Sequence, residues 1–155
     1  MKKITFGMLT VGLLLISSCA KNSNAVTTYG SWVFKSNTYG EVTSRHTSGG
    51  TLLTASPNNS GSTMTLSFMN TLPGNEGAFT VVSGTPVTAK QVRIDLTVGS
   101  TTGGTYTSLS TYSQTVYVTI GSNNMINVSG NNILMQSTAT PSDTTRLSFS
   151  VTQLQ

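Results

Sequence analysis

Between Gln91 and Val98 every second residue is aliphatic: Val92, Ile94, Leu96 and Val98 alternate with Gln91, Arg93, Asp95 and Thr97. In an extended chain successive side chains point to opposite faces, so this stretch predicts a strand with one apolar face and one wet face. The same period recurs at Met64, Leu66 and Phe68, at Val116, Val118 and Ile120, and at Leu147, Phe149 and Val151. No stretch of this region holds apolar residues at i, i+3 and i+4 long enough for a stable helix. Such a chain has to bury half-apolar sheets against one another.

Turn chemistry divides the sequence between these runs. Tyr29 to Phe34 reads as a first strand, with Trp32 and Phe34 on one face, and Ser36-Asn37 as the turn after it. Thr38 to Thr47 and Thr51 to Ala55 pair across a Gly49-Gly50 hairpin signal, and the Pro57 to Gly61 cluster closes the second of them. Phe79 to Val82 follows the Leu72 to Asn75 turn, and Gly99 to Gly104 is a flexible connection ahead of a strand over Tyr106 to Ser110. Met125 to Val128 and Ile133 to Met135 read as two short strands parted by Ser129 to Asn132, and Thr138 to Asp143 as a loop containing Pro141. About eight to ten short strands joined by short turns predict an antiparallel β-sandwich, with a small β-barrel as the alternative.

Charge excludes one class of partner. The chain has eight Lys and Arg against four Asp and Glu, a formal net charge of +4, and only 8 % charged residues. Lys21, Lys35, Arg45, Lys90, Arg93 and Arg146 are scattered, with no basic stripe of the sort that nucleic acid requires. Low charge alone would suit a disordered chain, but Val, Ile, Thr and aromatic residues are plentiful, which favours a folded sheet. With Cys19 the only cysteine, an intramolecular disulfide is ruled out.

The amino terminus predicts export. Lys2 and Lys3 precede an apolar run from Ile4 to Ile16, shorter than the roughly 20 residues of a membrane-spanning helix. Leu15-Ile16-Ser17-Ser18-Cys19 resembles the lipobox of bacterial lipoproteins. The resemblance implies cleavage between Ser18 and Cys19, alkylation of the Cys19 thiol by a diacylglyceryl group and acylation of its new amino group. Residues 1–18 are then the signal peptide, 19–28 the lipidated cysteine and a tether, and 29–155 a single all-β domain. Ala20 follows the cysteine where an Asp would retain the protein in the inner membrane, so the expected location is the outer membrane. Both of its faces stay open.

The runs Tyr29-Gly30-Ser31-Trp32-Val33-Phe34 and Gly61 to Phe68, the Asn127-Val128-Ser129-Gly130 turn and the terminal Thr144 to Gln153 are similar to those of small uncharacterised lipoproteins of Bacteroidota. That resemblance implies a β-sandwich-like domain behind a lipobox, with no catalytic motif to carry over. Asp143-Thr144-Thr145 also resembles the three-residue O-glycosylation site of exported Bacteroidota proteins, which would make Thr144 the modified residue.

Few residues suggest chemistry. His46 is the only imidazole, and a zinc site needs three or four His, Cys or carboxylate ligands, so no metal or other cofactor is expected. A serine nucleophile would need His46 as its base, and no G-x-S-x-G elbow is present. Glu41, Glu76, Asp95 and Asp143 could supply a glycosidase pair only if two of them share a cleft. Tyrosine is the stronger hint. Tyr29, Tyr39, Tyr106, Tyr112 and Tyr117 cannot all be core, and a tyrosine beside Asn and Ser offers a flat apolar face next to hydrogen-bonding groups. Tyr106, Tyr112 and Tyr117 form the candidate ligand surface. The expected protein is a non-enzymatic, lipid-anchored envelope domain with a structural or binding role. The alternatives are a carbohydrate-binding accessory module and a glycan hydrolase. Expected partners are membrane lipid through acylated Cys19 and a glycan or envelope protein.

Overall fold

The computed structural model describes residues 30–55, 61–99, 103–121 and 123–154. The signal peptide, the lipobox, Cys19, the tether and Tyr29 all lie outside the described residues. Ten strands follow in order: β1 Gly30–Phe34, β2 Asn37–His46, β3 Thr51–Ala55, β4 Thr63–Phe68, β5 Gly77–Val82, β6 Gln91–Thr97, β7 Thr105–Ser108, β8 Thr115–Ile120, β9 Ile126–Ser137 and β10 Thr144–Thr152.

These strands form one sheet that returns on itself. β1 to β4 pair in sequence, β4 pairs with β6, β6 with β5, β5 with β8, β8 with β9, β9 with β10, and β10 with β1. The result is a closed barrel of nine mixed strands, with β7 bridging β6 and β9. The expected antiparallel β-sandwich is therefore corrected to a barrel. Period-two alternation fixes which side chains face inward but is the same for a strand in either architecture; the Trp32↔Phe149 and Ser31↔Ser150 register between first and last strands makes the difference. Nor is the sheet wholly antiparallel, because β5 and β6 run parallel. Parallel neighbours usually need a long crossover. Here they overlap only at Thr80↔Gln91, Val81↔Val92 and Val82↔Arg93, so the chain has to travel back just roughly 10 Å.

Inward side chains fill the barrel. Trp32, Phe34, Leu52, Met64, Leu66, Phe79, Val92, Ile94, Leu96, Val116, Val118, Met135, Leu147 and Val151 are buried in one cluster, so the interior is a core and not a lumen. Trp32 stacks at a tilt on Tyr39 with ring centroids 5.5 Å apart, and Phe68 meets Phe79 edge-on at 5.6 Å. The outward positions are polar: Thr63, Thr65 and Ser67 on β4, Gln91, Arg93 and Asp95 on β6, and Arg146, Ser148 and Ser150 on β10. A membrane-spanning barrel reverses this pattern, with an apolar band outside.

β9 is one long strand where the sequence suggests two. Its first part, Ile126 to Gly130, pairs with β8, and Met135 to Ser137 pair with β7. The Ser129 to Asn132 stretch does not break it. Instead it forms a bulge against β10, where the register shifts between Leu147↔Ile133 and Phe149↔Gly130, with Asn132 in the left-handed region (φ 55°).

The wall forks where two strands, β5 and β8, give way to the single strand β7. Backbone groups at the forks lose their ladder partners, and side chains replace them. The buried Ser108 hydroxyl accepts from the Ile94 amide at 3.0 Å and donates to the Val82 carbonyl at 2.7 Å, joining β6, β7 and β5. Gln114 does the same on the other side: its side-chain amide donates to the Leu109 carbonyl, and its side-chain oxygen accepts from the Leu134 amide of β9. Ser108→Ala takes a partner from the buried Ile94 amide and the partly buried Val82 carbonyl and is expected to lower stability by about 1–3 kcal/mol. Urea denaturation checks this; an unchanged midpoint would show that the fork does not need the hydroxyl.

Candidate functional site

Four neighbouring strands, β1, β10, β9 and β8, build the part of the outer wall that is concave. Their registers align Ser31 with Ser150, Ser150 with Ser129, and Ser129 with Tyr117. Three serines in a row followed by a tyrosine make a shallow floor with one high side. The segment before β8 adds Tyr112, Ser113 and Gln114, and β10 adds Arg146 and Ser148. The groove they line has a volume of about 860 Å³.

Its lining is unusual for this barrel. Among the described residues the exposed large apolar side chains are Val33, Met69, Val87, Tyr112 and Tyr117, and of these Val33, Tyr112 and Tyr117 all line the groove. Tyr112 is 65 % and Tyr117 60 % exposed. Scattered exposed apolar groups are ordinary, whereas a group gathered in one concavity beside polar side chains is the usual form of a binding site.

The bulge of β9 supplies the polar part and is held rigidly. Ser148 Oγ accepts from the Asn132 amide at 3.0 Å and donates to Asn131 Oδ1 at 2.9 Å. Arg146 Nη1 donates to the Asn132 carbonyl at 2.8 Å, which lays the guanidinium along the bulge. Inward-facing Trp32, Gly130, Ile133 and Phe149 also line the groove, so its floor is continuous with the core. Gly130 is required there: a Cβ would lie 2.6 Å from Phe149 Cε1.

Tyr112 and Tyr117 thus come together, while Tyr106 does not join them. Tyr106 is 5 % exposed, points inward from β7 and meets Phe34 edge-on at 4.8 Å. Its hydroxyl donates to Asp143 Oδ2 at 2.9 Å and accepts from Lys35 Nζ at 2.7 Å, while Lys35 Nζ also donates to the same carboxylate oxygen at 2.8 Å. Lys35 reaches this cluster from the β1–β2 turn, where Lys35 (φ 48°) and Ser36 (φ 63°) both adopt the left-handed conformation of a tight hairpin. The cluster ties that turn to β7 and to the start of β10. Thr144, the candidate glycosylation residue, is the exposed first residue of β10 beside it.

Hydrogen bonds from Lys35 and then Tyr106 hold the Asp143 carboxyl below its ordinary range, and those to Asp143 and then Tyr106 push the Lys35 ammonium up. A depressed carboxyl stabilises the fold above its unfolded pKa and loses that contribution as pH falls through the folded value. The raised lysine contributes below its unfolded pKa and loses its contribution as pH rises through the folded one. The side chains are 41 % and 36 % exposed, so screening keeps the effect small. Melting temperature is expected to fall as pH drops below about 4, and Asp143→Asn to remove part of that fall; parallel curves for the two proteins would contradict the assignment.

The remaining candidates are dispersed. His46 Nε2 donates to the Gly49 carbonyl at 2.7 Å, fastening the β2–β3 hairpin. Asp95 pairs with Arg93 at 2.9 Å on the outer face of β6, and Glu76 Oε1 accepts from the Ile120 amide at 2.7 Å. Glu41 sits on β2 in a left-handed conformation (φ 53°). None of the four carboxylates lines the groove. Among the described residues no three His, Cys, Asp or Glu side chains come together as a metal site.

Among the groove residues that the sequence left unmarked are Val33, Gln114, Asn131, Asn132, Arg146 and the row Ser31, Ser150 and Ser129. One signal was available: in Trp32-Val33-Phe34 three successive apolar residues sit on a strand, and the middle one must face out.

Comparison of the chain with protein-family models, with curated proteins and with solved structures finds no match. The resemblance to sandwich-domain lipoproteins of Bacteroidota is accordingly corrected: the domain is a closed barrel, and no family model or relative supports that membership.

Proposed function

We propose that this chain is a non-catalytic carbohydrate-binding module whose ligand lies in the groove across β1, β10, β9 and β8. The observation that carries the reading is the gathering of Tyr112, Tyr117 and Val33 in one concavity with Asn and Ser side chains. A sugar ring has apolar C–H faces and a rim of hydroxyls. Tyrosine rings pack against the faces, and amides and hydroxyls at fixed positions meet the rim. Such binding needs no acid, base or cofactor, and the carboxylates are engaged or placed elsewhere on the barrel.

Trp32, the only tryptophan of the chain, lines the groove and provides a fluorescence readout. Tyr112→Ala and Tyr117→Ala are each expected to weaken binding of a glycan selected on an array by about tenfold, close to 1.4 kcal/mol. Unaltered affinity in both variants would place the ligand elsewhere, and turnover of the bound glycan would overturn the non-catalytic reading.

The same proposal seats the barrel in the cell envelope, held to the outer membrane by acylated Cys19. Its support is the Lys2-Lys3, Ile4 to Ile16 and Leu15 to Cys19 pattern. In the native host Cys19→Ala is expected to release the protein from membranes without detergent, checked by partitioning and intact mass; continued retention would remove the anchor.

A further inference from the structure

Building on the carbohydrate reading, we infer that the groove takes an acidic glycan, with Arg146 receiving the carboxylate of a uronic-acid-type sugar. Arg146 is the single charged side chain among the described residues that line the groove, and no Asp, Glu, Lys or His joins it there. Among the described residues it enters neither of the ion pairs, which are Lys35–Asp143 and Arg93–Asp95. One hydrogen bond, from Nη1 to the Asn132 carbonyl, fixes the guanidinium on the β9 bulge. A guanidinium so held keeps further N–H donors in a planar fork, the geometry that pairs with a carboxylate through two parallel hydrogen bonds.

The neighbouring polar groups have the same bias. Asn131 Oδ1 accepts from the Ser148 hydroxyl, and the Asn131 side-chain amide offers two N–H donors at the groove. Asn132, next along the bulge, is exposed and adds another side-chain amide. The free N–H groups of the Arg146 guanidinium, with the two side-chain amides beside it, can all donate to one acceptor-rich anionic group. The tyrosines at the other side of the groove would carry the sugar rings, so charge and stacking surface lie within reach of one oligosaccharide.

The test compares an oligogalacturonate with its fully methyl-esterified form, which keeps the sugar backbone and loses the charge. Neutral hexose oligomers and a polyglutamate peptide complete the set, and binding is followed by calorimetry and Trp32 fluorescence. The wild type is expected to bind the acid about tenfold more tightly than the ester. Arg146→Gln should abolish that difference by weakening binding of the acid far more than binding of the ester, and Arg146→Lys should restore only part of it. Equal affinity for acid and ester, or an acid preference that survives in Arg146→Gln, overturns the role of Arg146 and leaves a neutral-glycan groove. Polyglutamate bound as tightly as the oligogalacturonate overturns the sugar assignment. No binding of any saccharide removes the carbohydrate reading as well.

Discussion

A buried backbone amide or carbonyl must have a partner, and this barrel meets that demand at its weakest point with two side chains. Between β6 and β9 the wall is two strands wide at one end and one strand wide at the other, so the regular ladder cannot run through. Ser108 and Gln114 complete it from opposite sides of the fork. Because the ring closes only if β6 and β9 are both held, the packing of Ile94, Phe79, Val116 and Met135 inside depends on these polar groups. A hydroxyl and an amide thereby decide whether the apolar residues have a closed space to fill.

The groove is a by-product of the same wall. Alternation turns Trp32, Phe149 and Val128 inward, and Ser31, Ser150 and Ser129 therefore face out in one row. Small side chains at the centre and tyrosines at one side create the depression without any loop forming a lid. The bulge in β9 re-aims Asn131 and Asn132 and gives Arg146 a carbonyl to rest on. Gly130 lets the Phe149 ring approach the strand from within. Core and candidate site thus share a layer one residue thick.

Much of this was legible in the sequence. The faces of β4, β6, β8 and β10 follow from period two, and the outward position of Tyr117 follows from the inward Val116 and Val118. Closure was not legible, because no local pattern states that Ser31 lies beside Ser150. The same reason hid the groove, whose serines become neighbours only across the β1–β10 and β9–β10 registers. The division of β9 into two strands failed for a different cause: Gly, Asn and Ser normally mark turns, and here they form a bulge inside a continuous ladder. Tyr106 could be counted among the surface tyrosines until its partners Lys35 and Asp143, distant in sequence, were known.

Closure through the first and last strands also orders events in time. β1 has β2 beside it as soon as the hairpin forms, but its other edge pairs with β10, the tenth of the ten strands among the described residues. Throughout synthesis, and during any passage across a membrane, that edge offers unpaired amides and carbonyls together with the exposed Val33. Contacts between strands so far apart in sequence form slowly because the long intervening loop must close first. The segment that forms one wall of the groove in the finished barrel is thus an open strand edge in the unfinished one, available for association until β10 pairs with it.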